Sequence, residues 1–185
     1  MTNLVGISGS LREGSLNTLL LEAMKELVPD GTELTVRSLA DIPLYNGDLD
    51  VDGGPESVRA LKSAIDAADG LVIATPEYNY GIPGVLKNAI DWVSRPAFKS
   101  VLVGKPIAIV GAAPGTVGTA RAQSDLRNVL FGTLGNVFPH PEILVAQAKT
   151  RLTDGQVTDP TTKTLLETYL TRFTTWGQAT PQKPV

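Results

Sequence analysis

Gly70-Leu71-Val72-Ile73-Ala74-Thr75-Pro76-Glu77-Tyr78-Asn79-Tyr80-Gly81-Ile82-Pro83 joins an unbroken apolar run to a stiff, ring-bearing loop. Six consecutive residues without a charge, stopped by Pro76, read as a strand buried on both faces. Pro83 falls near the first turn of the next helix, where a missing N–H costs nothing. Leu86, Ala89, Ile90 and Val93 then recur at helical spacing. Strand, loop at the strand's carboxyl end, and amphipathic helix make one βα unit.

The same unit recurs on both sides. Leu4–Ile7 reads as a first strand, Ser8–Gly14 as its loop, and a helix follows from Ser15 with Leu16, Leu19, Leu20, Met24 and Leu27 inward. Pro29-Asp30-Gly31 should end it. Glu33–Ser38 alternates as a half-exposed strand does. A loop rich in Pro, Gly and Asp spans 41–55, and Ser57–Ala68 is helical. Ile107–Val110 is a fourth strand, with a glycine-rich loop at 111–118 and a helix from Thr119 to Phe131. Ile143-Leu144-Val145 is the fifth strand. Asp159-Pro160 opens a last helix carrying Leu165, Leu166, Tyr169, Leu170 and Phe173, and the tail after about Gly177 should fray. Five buried strands alternating with amphipathic helices predict a parallel sheet covered on both faces. The expected fold is α/β, a flavodoxin-like three-layer sandwich with a five-stranded parallel sheet in the order 2-1-3-4-5. One domain should span 1–185. Ligands of such sheets bind outside the carboxyl ends of the strands, where the order switches. That gathers the loops after strands one, three and four at one site.

Composition narrows the chemistry. The 185 residues hold no Cys and one His, His140. Disulfides, thiolate metal sites and Cys nucleophiles are excluded, a His-rich metal site is impossible, and no metal is expected. The net charge of −3 gives no ground for nucleic-acid or membrane attraction. The start lacks the pattern of a signal peptide and no apolar run reaches spanning length, so a cytoplasmic location is expected.

The first loop, Gly9-Ser10-Leu11-Arg12-Glu13-Gly14-Ser15-Leu16-Asn17, opens a helix. A helix N-terminus offers unpaired N–H groups and a positive dipole end, both suited to an anion. Ser10, Ser15 and Asn17 add hydroxyl and amide donors, and Arg12 adds a fork for phosphate oxygens. Ser15 in place of lysine after Gly14 rules out a triphosphate-binding P-loop, and the glycine spacing is not that of a dinucleotide fingerprint. A monophosphate fits; an ordinary turn with capping serines is the plain alternative. In the Thr75–Pro83 loop, two prolines and Gly81 suit close approach of backbone N–H groups to a planar polar ring. A proline-rich turn with packed tyrosines is the alternative there.

Gly-Ile-Ser-Gly-Ser-Leu-Arg-x-Gly-Ser-x-Asn at 6–17 is similar to the opening motif of the NADPH-dependent FMN reductase family. The segment 75–92, TPEYNYGIPGVLKNAIDW, resembles its second signature, and Gly118–Gln123 with Leu126-Arg127 its third. The likeness covers about residues 3–146 and is nearest the chromate, quinone, ferric and azo-dye reductase branch. It implies that Ser10, Arg12, Ser15, Leu16 and Asn17 hold the phosphate of FMN. Pro76, Glu77, Tyr78, Asn79, Tyr80 and Gly81 would line the isoalloxazine and ribityl chain. Ala113 and Gly115, in the loop after strand four, would contact the ring through backbone alone, since Ala112-Ala113-Pro114 stands where some members carry serines. Arg95 would lie near the mouth of the site, against NADPH, NADH or an anionic acceptor; a helix-terminal arginine answering the dipole is the alternative.

The function so implied is an NAD(P)H-dependent FMN/quinone reductase, passing hydride through bound FMN to small-molecule acceptors by a ping-pong cycle. The resemblance also implies a homodimer or homotetramer. No residue is needed as acid or nucleophile, because the cofactor carries the chemistry. Asp91, Trp92, Phe173 and Trp176 read as structural, His140 as exposed or interfacial, and Arg121 and Arg127 as salt-bridge or interface residues. The competing functions are a flavodoxin-type electron carrier without nicotinamide turnover and a reductase that releases free reduced flavin.

Overall fold

The computed structural model describes residues 1–153 and 155–180. Strands β1 (Thr2–Ser8), β2 (Thr32–Arg37), β3 (Gly70–Ala74) and β4 (Pro106–Ala112) pair in parallel in the order β2-β1-β3-β4. The fifth position is split between β5 (Asn136–Val137) and β6 (Ile143–Val145), both parallel to β4. The expected order therefore stands, with one strand more than the five expected. Helices α1 (Leu16–Met24), α2 (Glu56–Ala67), α3 (Gly84–Val93) and α4 (Ala120–Gly132) connect the strands. A small hairpin of β7 (Leu152–Thr153) and β8 (Gln156–Val157), not foreseen in the sequence, precedes the last helix, α5 (Pro160–Ala179).

Strand periodicity sorts the core into two halves. Val72, Ala74, Ala108, Val110 and Ala112 face α1 and α5; Leu71, Ile73, Ile107 and Ile109 face α2, α3 and α4. Small strand residues on the first face leave room for the rings of Phe138, Tyr169 and Phe173. Ser15 caps α1, its hydroxyl accepting from Thr18 N–H at 3.4 Å. The helix stops at Met24, short of the expected Pro29; Lys25 to Leu27 continue in tighter turns, each N–H reaching back three residues. Asp159 caps α5 by accepting from the N–H and hydroxyl of Thr162 at 2.8 and 2.6 Å. Those bonds hold its carboxyl below the usual range. α5 runs two residues past Gly177; residues 181–185 of the expected tail lie outside the described residues.

The split in the fifth strand has a chemical cause. Pro139 and Pro141 lack the N–H a ladder needs. β5 pairs with Pro106 and Ile107, β6 with Val110 to Ala112, and Ile109 between them, paired with Ile73 of β3 on one side, has no strand partner on the other. The buried hydroxyl of Tyr169 takes that place, accepting from Ile109 N–H at 3.0 Å and donating to Ile109 C=O at 3.1 Å. Tyr169→Phe would strand both backbone groups. We expect it to cost about 2 kcal/mol and lower Tm by roughly 4–8 °C, read by thermal melts. Burial pushes the phenol from 10.0 up to about 12. The folded state thus prefers the neutral phenol, so its contribution is intact below the unfolded value and fades as pH rises toward the folded one. Tyr169→Phe should lose that alkaline decline.

Candidate functional site: a cleft at the carboxyl ends of the strands

Loops from β1, β3 and β4 converge because parallel pairing brings their carboxyl ends level. Gly9 N–H donates to Ala74 C=O at 2.8 Å, and Thr75 N–H to Val110 C=O at 3.0 Å. A Cβ on Gly9 would sit 3.2 Å from Pro76 Cδ, so the first two loops touch through a residue without a side chain. Between the three loops lies a cleft of about 300 Å³. From the first loop it is lined by Ser10, Arg12, Ser15, Leu16 and Asn17, and from the second by Pro76, Glu77 and Tyr78. Ala112, Ala113 and Pro114 form the third wall, and Lys149 closes one end.

The first-loop wall is rich in donors. Ser15 carries the cap, and the N–H groups of Leu16 and Asn17 have no partner among the described residues. The Arg12 guanidinium donates to Gly14 C=O at 3.1 Å and keeps its remaining N–H groups. Asn17 differs from the expectation. Its amide clamps Ala112, donating to the C=O and accepting from the N–H, both at 2.9 Å. It ties α1 to the end of β4, which leaves a single amide hydrogen for a ligand.

The second loop folds back on itself. Tyr78 and Gly81 exchange N–H···O bonds of 3.1 Å each, with Asn79 and Tyr80 at φ 50° and 71°. Two central residues in the left-handed region define a tight hairpin turn of the I′ kind. The N–H groups of Tyr78 and Gly81 are therefore spent within the turn, contrary to the expectation that the whole loop offers donors to a ring. Glu77 anchors the hairpin. Its carboxylate accepts from Arg121 N–H at 3.0 Å and Ala122 N–H at 3.3 Å, capping α4 where Thr119 provides no side-chain cap. It also pairs with Arg121 Nε at 3.0 Å. The Arg121 guanidinium lies 3.9 Å over the Tyr80 ring, and Asp125 accepts from Ile82 N–H at 3.3 Å. So the salt bridge read for Arg121 is made, to Glu77.

The third wall is laced to the chain after β6. Ala113 donates to Val145 C=O and accepts from Ala148 N–H, each at 3.0 Å, and Gly115 C=O accepts from Gln147 at 2.9 Å. This lacing brings Lys149 to the cleft. Asn79, Tyr80, Gly81 and Gly115 do not line the cleft; they shape and hold its walls. Arg95 is elsewhere. It follows α3, about 15 Å of helical rise from the loop before that helix, and lines a hollow with Lys87, Asp91 and Phe98. Its guanidinium lies 5.5 Å from the Tyr45 ring. Within one chain it is not at the mouth of the cleft, because α3 carries it away from the strand ends.

The donor set fits FMN. Hydroxyls, free helix N–H groups and the two cations Arg12 and Lys149 suit a phosphate, while Leu16, Pro76, Tyr78, Ala113 and Pro114 suit a flat ring system. Fold and cleft together define a flavodoxin-like, FMN-binding flavoprotein. Comparison with known proteins makes this specific. Residues 2–150 match the NADPH-dependent FMN reductase family. The chain is 42% identical over 173 residues to an NAD(P)H-dependent FMN reductase of Pseudomonas aeruginosa, covering 93% of each. It is equally 42% identical over 173 residues to a quinone reductase of Escherichia coli, covering 91% of this chain and 92% of that one. Among solved structures, the flavoenzyme NAD(P)H:(acceptor) oxidoreductase FerB of Paracoccus denitrificans superposes with a TM-score of 0.88 at 37% identity, over 97% of this chain and 99% of that one. The chain belongs to the NADPH-dependent FMN reductase family. It is an oxidoreductase with FMN and NAD(P)H as its cofactors, which sets aside the electron-carrier reading.

Proposed function

We propose that the chain reduces quinones with electrons from NAD(P)H, donor and acceptor using one open face of the cleft in turn. Bound FMN would supply the two-electron redox centre that links them. The carrying observation is the cleft itself: one phosphate-suited end, one apolar end, and walls fixed by hydrogen bonds within the chain. Among the described residues no three metal-ligating side chains gather. The first loop would hold the phosphate and fix the ring's position. Tyr78 and Pro76 would flank the ring, and the Glu77–Arg121 pair would keep the hairpin still. A relative from Burkholderia is named 2-hydroxy-1,4-benzoquinone reductase, which supports a quinone as acceptor. Chromate, ferric chelates and azo dyes are further acceptors an open face would admit.

Two electrons and a proton from NAD(P)H, with one more proton from solvent, carry a quinone to the quinol. Steady-state rates at several NADPH concentrations with varied benzoquinone should give parallel double-reciprocal lines. Intersecting lines would contradict the shared-face, ping-pong reading. We further propose a homodimer or homotetramer of cytoplasmic location. Phe131 and Phe98 are 82% and 72% exposed, which is apolar area a second copy could cover. No described helix is long and apolar enough to cross a membrane.

A further inference from the structure

A ring lying between the second and third loops would meet walls whose donors are mostly committed elsewhere. Pro76 and Pro114, one on each wall, have no N–H. Tyr78 N–H is spent on Gly81 C=O at 3.1 Å. Ala112 N–H is spent on the Asn17 amide at 2.9 Å, and Ala113 N–H on Val145 C=O at 3.0 Å. The third wall, Ala112 to Pro114, therefore has no backbone donor left, and alanine and proline side chains supply none. On the second wall, Glu77 N–H is the one uncommitted backbone donor among the described residues. Half-exposed Tyr78 keeps its hydroxyl in competition with water.

The charges beside these walls do not make up the deficit. Glu77 brings a carboxylate to the second wall, and its bonds to Arg121 N–H, Ala122 N–H and Arg121 Nε neutralise it. Lys149 is exposed, so water and salt screen its ammonium. Arg12 belongs to the phosphate end.

The deficit matters because reduction charges the ring. NAD(P)H passes two electrons and one proton to FMN and leaves as NAD(P)+, and the reduced ring keeps one negative charge. A protein raises the flavin's potential only as far as it binds that charged form more tightly than the neutral oxidised one. Fixed donors beside the ring are the usual means. Here those donors hold the scaffold together.

We propose that the third wall leaves the flavin's potential where it stands in water, with Pro114 and the Asn17 clamp on Ala112 withholding the donors that would stabilise the reduced ring. Oxidised and reduced FMN then bind within about tenfold of each other, and the two-electron potential of bound FMN lies within about 30 mV of that of free FMN. Electrons reach the acceptor with the driving force that free reduced FMN would give them. The protein contributes position and not potential. The inference rests on FMN occupying this cleft.

The FMN-loaded protein should be reduced stepwise with dithionite, without oxygen and beside a reference dye, so that no nicotinamide is needed. Free FMN in the same mildly alkaline buffer, where its reduced form is also anionic, is the comparison. We expect the two potentials to agree within about 30 mV. Pro114→Ala returns an N–H to the wall, and Ala113→Ser adds a hydroxyl while keeping both backbone bonds of residue 113. Each should tighten reduced FMN about tenfold against oxidised FMN, a rise of about 30 mV. The affinity for oxidised FMN, read by fluorescence quenching, and Tm should change little. A merely structural role for this loop would move Tm and both affinities together and leave the potential in place. A potential in the unaltered protein more than about 30 mV from that of free FMN would overturn the proposal. So would a potential that neither substitution raises. Protein that takes up no FMN would sink the cofactor reading itself; protein that binds FMN at a displaced potential would sink this inference alone.

Discussion

Alanine at Gly111 is expected to destabilise the protein by about 3 kcal/mol or more, at the upper end of what overpacking a core costs. An added Cβ would lie 1.8 Å from Thr119 Oγ1 and 2.8 Å from the Thr75 carbonyl oxygen. Thr119 is fully buried and its hydroxyl accepts from Gln123 at 3.1 Å, so it has nowhere to turn. The Thr75 carbonyl is backbone at the start of the hairpin loop and yields less still. Relief would have to come from shifting β4 against β3, which would move two walls of the cleft together. Urea unfolding should show a lower midpoint, and any folded Gly111→Ala protein should hold FMN less tightly. Adding Thr119→Ala should recover part of the stability, because the contact with Thr75 remains. A midpoint equal to that of the unaltered protein would contradict this packing.

Arg12→Ala should weaken FMN binding by about 10- to 100-fold, the worth of a charge-assisted hydrogen bond in a partly closed site. Riboflavin, which has no phosphate, should bind the altered and unaltered proteins alike. Lys149→Ala should act in the same direction with a smaller effect, because Lys149 is exposed and a point charge is screened. Quenching of flavin fluorescence on titration reads both. An equal loss for riboflavin and FMN would show that Arg12 shapes the loop and does not grip the phosphate.

Much of this was legible in the sequence because parallel strands announce themselves. Runs such as Leu71–Ala74 and Ile107–Val110 are apolar on both faces, and each ends at a loop with Gly or Pro. The three-loop site follows from that topology before any side chain is placed. What stayed hidden depends on partners far along the chain. Asn17 reads as a phosphate donor until Ala112, 95 residues later, is seen to use its amide. Glu77 reads as a ring-lining residue, yet its carboxylate caps α4, a helix whose N-cap Thr119 makes no side-chain bond of its own. Lys149 had no local signal at all; it arrives because the chain after β6 is bonded to Ala113. The I′ turn could have been read from Asn79 before a ring and a glycine, since asparagine tolerates the left-handed region. The break in the fifth strand was written in Pro139 and Pro141, but its repair by Tyr169 could come only from tertiary packing.

The most direct test of the central claim is the anaerobic visible spectrum of the FMN-loaded protein before and after NADPH. A yellow protein that NADPH bleaches, and that benzoquinone recolours without oxygen, is the result the cleft and the family predict. A protein that neither carries nor takes up FMN, or whose bound FMN stays yellow under both NADPH and NADH, would contradict the account.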